Sequence, residues 1–221
     1  MPVRSPVVFP SQLAARLVRC ILGLTLFGIG IALIVDSELG NGPWDVFHQG
    51  VADLLDVGIG IVIIATGALL MLLWIPLRVR PGIGTVLNTV QIGLVVDIVL
   101  PLLPDVERIV PRIGYLTTGI VLMAVATALY IGSGLGPGPR DGLMTGLAAR
   151  GWKIRTARTV IEVAVMVIGF ALGGTVGIGT AVFALAIGPL VQWFLPRLSV
   201  DPVTRTGDAP SGNTVVESPA R

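Results

Sequence analysis

The chain has 221 residues, 53% hydrophobic and only 13% charged, with a formal net charge of +2 and a mean hydropathy of +0.90. A soluble domain carries about 25% charge, so this composition excludes an ordinary soluble fold. No basic cluster is interleaved with aromatics, which argues against a nucleic-acid partner. Cys20 is the sole cysteine and His48 the sole histidine, so neither an internal disulfide nor a Cys–His metal cluster can form within the chain. No cofactor is expected. No nucleotide loop, nucleophile elbow or zinc motif is present, and the sequence predicts no enzyme.

Arg4, Arg16 and Arg19 precede the first apolar run in the manner of a signal peptide. Asp36, Ser37 and Glu38 follow it in place of a small-residue cleavage site, so a retained first helix is predicted. Cys20 reads as a small hydrophobe within it. A bilayer needs about 20 apolar residues per helix. Runs of that kind predict six spans: Leu13–Val35, Val57–Leu77, Gly84–Leu103, Ile113–Gly132, Thr156–Leu172 and Gly179–Leu198. Two shorter charged segments, Trp44–Leu55 and Arg140–Arg150, are too short to cross. Twelve helical residues reach only about 18 Å. They read as re-entrant or interfacial half-helices. The predicted layout is a cytoplasmic segment 1–12, a first membrane repeat 13–104, an external linker 105–112, a second repeat 113–198 and a disordered cytoplasmic tail 199–221.

The halves repeat. Gly40-Asn41-Gly42-Pro43-Trp44-Asp45 matches Gly136-Pro137-Gly138-Pro139-Arg140-Asp141 at an offset of 96 (136 − 40). Gly82-Ile83-Gly84-Thr85 matches Gly177-Ile178-Gly179-Thr180 at 95 (177 − 82), as do Gly93 with Gly188 and Pro101 with Pro196. Agreement within one residue across several punctuating positions indicates duplication. Three spans per repeat would make the second copy enter from the opposite side. With the N-terminus inside, 13 of the 15 basic residues face the cytoplasm, and only Arg108 and Arg112 lie outside. The first half-helix region carries Asp36, Glu38, Asp45, Asp53 and Asp56 with no basic residue, whereas its counterpart carries Arg140, Arg150, Lys153 and Arg155. Positive residues resist translocation, so the two regions are expected on opposite faces. The fold class is all-α: a polytopic membrane protein of two inverted three-helix repeats, each with a half-helix. Such repeats with broken helices recur in secondary transporters and in some channels.

The segment Gly40 to Asp45, followed by Arg80-Pro81-Gly82-Ile83-Gly84-Thr85 and Asn88, resembles the YczE/YyaS/YitT group of bacterial membrane proteins, in particular the YczE branch. In that group a Gly-x-Gly-Pro-Trp-Asp and a Pro-Gly-x-Gly-Thr segment recur. The likeness covers most of Leu13–Leu198, without the additional C-terminal domain of YitT-type members. The second repeat departs from the pattern in having Arg140 where the first has Trp44. The resemblance implies the topology more than any substrate.

Asp45 and Asp141 occupy matching positions in the first turn of each half-helix, after Pro43 and Pro139. There a carboxylate caps free N–H groups, or it faces a cavity and binds a cation or proton. Gln49 and Thr145 stand four residues further, on the same helical face. Asn88 and Gln91 share a face with Thr85 and suit either interhelical bonding or a substrate path. Glu162 either pairs with Arg158 or acts as a buried coupling carboxylate. Asp97 is expected at the outer interface, and His48 as an exposed interfacial side chain able to titrate near neutral pH. The glycine pairs Gly82 and Gly84, and Gly177 and Gly179, start spans three and six and allow close packing or anion approach. Gly142 with Gly146, Gly169 with Gly173, and Ala184 with Gly188 suit tight helix contacts. The sequence thus predicts a multi-pass protein of the cell membrane with both termini cytoplasmic. It would move a small molecule or ion between its repeats, with the lipid bilayer as its medium and a homo-oligomer as a possible state. A non-transporting scaffold or regulator, or a channel, is the alternative.

Overall fold

The computed structural model describes residues 10–200. The first nine residues and the tail beyond Val200, with Arg4, Arg205 and Arg221, lie outside the described residues. The described residues form eight α-helices and no strand: α1 (Pro10–Ser37), α2 (Pro43–Leu55), α3 (Ile59–Leu77), α4 (Ile83–Val99), α5 (Ile109–Gly132), α6 (Pro139–Ala148), α7 (Ile154–Ala171) and α8 (Ile178–Leu198). A short 3-10 turn, Leu100–Leu102, follows α4. The two half-helices appear as α2 and α6, each with proline in its first turn, where a missing N–H costs nothing. Helix α5 begins at Ile109, four residues before the apolar run suggested. Pro111 sits in its first turn and is tolerated there.

Five helices are long and apolar enough to cross a membrane: α1, α3, α4 with its 3-10 extension, α5 and α8. The predicted fifth span corresponds to α7, which has the length but carries Arg155, Arg158 and Glu162 in its first half. Its outward face is nevertheless apolar, with Val160, Val163, Val167 and Phe170 exposed. Leu69, Leu72 and Ile75 on α3 and Leu185 on α8 are exposed in the same way. Contiguous apolar surface of this extent suits lipid rather than water. The chain is an all-helical polytopic membrane protein.

The centre of the bundle is the α1–α5 crossing, made by small residues. A Cβ at Gly23 would stand 2.9 Å from the Ala126 carbonyl oxygen, one at Gly30 3.0 Å from that of Gly119, and one at Gly119 2.8 Å from that of Gly30. Numbering rises along α1 as it falls along α5, so the two helices run antiparallel. Helix α4 packs on α1 and α8 on α5, while α2 packs on α7 and α3 on α6. The half-helices are therefore seated mainly on helices of the other half of the chain.

The glycine-proline breaks are closed by an exchange of backbone bonds. Gly84 donates to the Leu135 carbonyl at 2.9 Å, and Gly179 donates to the Leu39 carbonyl at 2.7 Å. Leu39 and Leu135 differ by 96 positions and Gly84 and Gly179 by 95, so the two bonds are the same bond with partners swapped. Gly40 (φ 114°) and Gly136 (φ 125°) turn the chain between them in a region that favours glycine. Thr85 and Thr180 accept from Gly82 N at 3.1 Å and Gly177 N at 3.2 Å. The four helix-start glycines are thus packing residues, each with main chain of the opposite break against its α-carbon. Both ends of the described chain meet at one end of the bundle. Arg16 Nη1 donates to the Ser133 carbonyl at 3.0 Å and Arg19 Nη2 to the Leu198 carbonyl at 2.6 Å. Cations there suit helix C-termini.

Candidate functional site

The N-termini of α2 and α6 converge, and their side chains meet. Arg140 lies with its guanidinium carbon 4.8 Å from the centroid of the Trp44 indole. Its Nη2 is 3.9 Å from Asp45 Oδ1. Trp44 and Arg140 are counterparts at an offset of 96 (140 − 44), so a position where the second break departs from the first contacts its own counterpart. A cation over an indole face is favourable, more so away from water. Each aspartate folds back over its own helix start: a Cβ at Gly42 would lie 3.3 Å from Asp45 Oδ2, and one at Gly138 3.4 Å from Asp141 Oδ2. Their other contacts differ. Tyr130 on α5 donates to Asp141 Oδ2 at 2.8 Å, whereas Asp45 Oδ1 has His48 Nδ1 at 3.4 Å.

Two cavities flank this meeting point. The larger, about 290 Å³, is bounded by Trp44, Asp45, Arg140, Asp141, Glu162 and Gln192, with aromatic walls from Phe27 and Phe183. The smaller, about 50 Å³, is bounded by His48, Thr66, Asn88, Thr89 and Arg140. Phe27, Tyr130 and Arg140 border both cavities, and the Phe27 and Tyr130 rings meet edge to face at 6.4 Å between centroids. These three side chains form a partition. The linings correspond in pairs: Gly67 with Glu162, Asn88 with Phe183 and Ile92 with Ile187 at an offset of 95, and Pro43 with Pro139 at 96.

The residues expected at a site from sequence are only partly gathered here. Asp45, Asp141 and Glu162 border the larger cavity and Asn88 the smaller. Glu162 also accepts from Arg158 Nε at 2.8 Å, one turn away. Gln49 and Thr145 border neither cavity. Gln49 Oε1 accepts from Asn41 Nδ2 at 2.7 Å and Thr175 N at 2.9 Å, tying the first break to the α7–α8 loop. Thr145 is exposed and bonds back to the Gly142 carbonyl. Gln91 donates to the Ile21 carbonyl at 2.9 Å and to Thr25 Oγ1 at 2.8 Å, which makes it an α4–α1 tie.

Two sequence expectations need correction. His48 is buried, 1% exposed, not interfacial, because α2 packs against α7 and α3. Asp97 is half-buried, and its Oδ1 accepts from Gly60 N at 2.7 Å at the start of α3. Among the small-residue pairs, Gly142, Gly146 and Gly169 make close contacts, but a Cβ at Gly173 or Gly188 would meet nothing within 4 Å. Arg140, central to the site, was visible in sequence only as the departure from the repeated motif.

Fold and site together define a polytopic helical membrane protein with charged and aromatic cavities at two converging half-helices. The chain belongs to the family of unknown function DUF6198, whose model matches residues 14–196. It is 42% identical over 176 residues to an uncharacterized protein of Haemophilus influenzae, covering 79% of this chain and 81% of that protein. It is 30% identical over 190 residues to the uncharacterized membrane protein YczE of Bacillus subtilis, covering 85% and 88%. It is 24% identical over 182 residues to the uncharacterized protein YyaS of the same organism, covering 79% and 90%. No solved structure matches.

Proposed function

We propose that this protein is a transporter of the cell membrane that moves a small molecule or ion between two inverted repeats by alternating access. The observation that carries the reading is the pair of cavities. They are bordered by corresponding positions of the two halves, differ in volume (about 290 against 50 Å³), and are separated by Phe27, Tyr130 and Arg140. An axis in the membrane plane relating the halves would place the two cavities toward opposite faces, one open and its mate collapsed. The antiparallel α1–α5 crossing and the swapped Leu39–Gly179 and Leu135–Gly84 bonds support such an axis. Broken helices with their N-termini at the substrate site are the recurring device of inverted-repeat transporters. A channel would need a continuous path, which the partition interrupts. Both termini are assigned to the cytoplasm on the basic-residue asymmetry.

Single cysteines test the reading in a Cys20→Ala background. Thr127→Cys probes the larger cavity and Thr66→Cys the smaller. Alternating access predicts alkylation of the two from opposite faces of a sealed vesicle, with any treatment that protects one exposing the other. Labelling of both from the same face, or of Thr66→Cys under no condition, removes the proposal.

A further inference from the structure

His48 is the sole histidine of the chain. It is 1% exposed, and neither ring nitrogen has a hydrogen-bond partner. Buried polar groups are almost always bonded, so an imidazole whose Nε2 has no partner and whose Nδ1 has only Asp45 at ion-pair distance stands out. It stands on the inner face of α2, between the Trp44 and Phe47 rings at 6.3 and 6.0 Å, and borders the smaller cavity. On its other side Nδ1 lies 3.4 Å from Asp45 Oδ1. Asp45 is 3% exposed, its Oδ1 accepts no hydrogen bond, and it borders the larger cavity. The pair therefore bridges two cavities that the partition otherwise separates.

We infer that Asp45 and His48 form a proton-binding site that links the two cavities, so that the coupling ion of the transporter proposed above is a proton. A proton taken from the larger cavity protonates Asp45 Oδ1 and passes to His48 Nδ1. A proton already on Nε2 leaves to water in the smaller cavity. One proton enters and one departs, and the imidazole changes tautomer and resets by turning its ring. The smaller cavity, about 50 Å³, has room for about three waters at the minimum space a water requires. That is enough to receive a proton and too little for a substrate of any size. Among the described residues no group of three or more His, Cys, Asp or Glu is placed to hold a metal ion.

The charged neighbours make the site responsive to whatever fills the larger cavity. Arg140 of α6 lies 3.9 Å from the same Asp45 oxygen that faces His48. Tyr130 of α5 is engaged by Asp141 of α6. From α7, Arg158 and Glu162 are paired with each other. Asn88 and Thr89 of α4 and Thr66 of α3 face the imidazole across the smaller cavity without charge. A substrate that draws Arg140 away removes a positive charge from beside Asp45. The duplicated half has no equivalent: Met144 stands at the counterpart of His48 (144 − 48 = 96). The proton site is built once, not twice.

The unique histidine gives a direct test that does not depend on transport. The full chain, carrying a histidine-free affinity tag and labelled with 15N-histidine, is reconstituted in nanodiscs, and its imidazole resonances are followed from pH 5 to 9. The wild type is expected to titrate, with exchange between tautomers. Asp45→Asn, which keeps the shape, should lower the midpoint by about one unit or more, the usual effect of losing an adjacent opposite charge. Arg140→Gln, which removes a repelling charge, should raise it. The opposite signs keep the test decisive if one variant fails to fold. An imidazole that stays neutral and in one tautomer across the whole range, in the wild type and in Arg140→Gln, overturns the proton site. So does an unchanged midpoint in a folded Asp45→Asn protein. Either result leaves the cysteine-accessibility test of alternating access untouched.

Discussion

The Trp74 ring lies flat against Gly142, so closely that a Cβ there would stand 1.9 Å from Cζ2. Trp74 is 1% exposed and donates from Nε1 to the Pro139 carbonyl at 3.1 Å. One side chain of α3 therefore fixes both the start and the first turn of α6. At the corresponding place in the other half the sizes are reversed. Gly169 of α7, the counterpart of Trp74 (169 − 74 = 95), is the small residue. A Cβ on it would lie 2.4 Å from the Phe47 backbone of α2.

Gly142→Ala is expected to destabilise the protein by about 1–3 kcal/mol, the usual range for overpacking, because the indole has no room to retreat. Gly114→Ala, on α5 with nothing within 4 Å, should be neutral or raise stability by about 0.5–1 kcal/mol, the helix preference of alanine over glycine. Thermal unfolding in detergent compares the two. Equal melting temperatures would show that the α3–α6 contact yields without cost.

Asp97 should act as a cap and not as a path residue. Losing its bond to Gly60 N should cost about 1.5–3 kcal/mol in Asp97→Ala, as expected for a hydrogen bond to a charged acceptor. Asp97→Asn keeps an acceptor and should retain most of that. Neither change should alter the histidine titration, and a shift in its midpoint would place Asp97 within the proton site.

Gln91 is expected to contribute only stability. Gln91→Leu loses two bonds from α4 to α1, and polar ties between membrane helices are worth about 0.6 kcal/mol on average. A small fall in melting temperature, with cavity accessibility at Thr66→Cys and Thr127→Cys unchanged, is the expected outcome. Altered accessibility would return Gln91 to the translocation path.

Topology can be read with engineered cysteines in sealed right-side-out vesicles. Residues of the α2–α3 loop, such as Asp56, should be labelled from outside. Residues of the α6–α7 loop, such as Trp152, should be labelled only after permeabilisation. Labelling of both loops from one side would require parallel halves.

Much of the architecture was legible because it is written locally. The glycine-proline breaks placed α2 and α6 to within two residues at each end, since proline suits a first turn and a dozen residues cannot span lipid. The repeat offset was legible because punctuation survives where side chains diverge. What sequence could not supply was the far side of each contact. His48 lies on a short helix with charged neighbours and reads as interfacial, and only α7 and α3 packing over α2 buries it. Gln49 stands at helical spacing from Asp45, yet it is captured by Thr175, 126 residues away. Arg140 reads as a basic residue of the cytoplasmic side until Trp44, 96 positions earlier, is laid beneath it.

The exchanged bonds at the two breaks bear on how the chain is made. Leu39 offers its carbonyl to Gly179, and Gly84 offers its N–H to Leu135, so neither half can complete its own main chain. While the second half is still on the ribosome, the first would hold an open carbonyl and an open amide, and an unmet group within lipid costs several kcal/mol. The early half is therefore expected to be less stable alone than in the full chain, until the last helix is made. The same exchange makes the halves each other's missing partner. Two fragments cut within the α4–α5 linker and produced together should assemble, while either alone should be degraded.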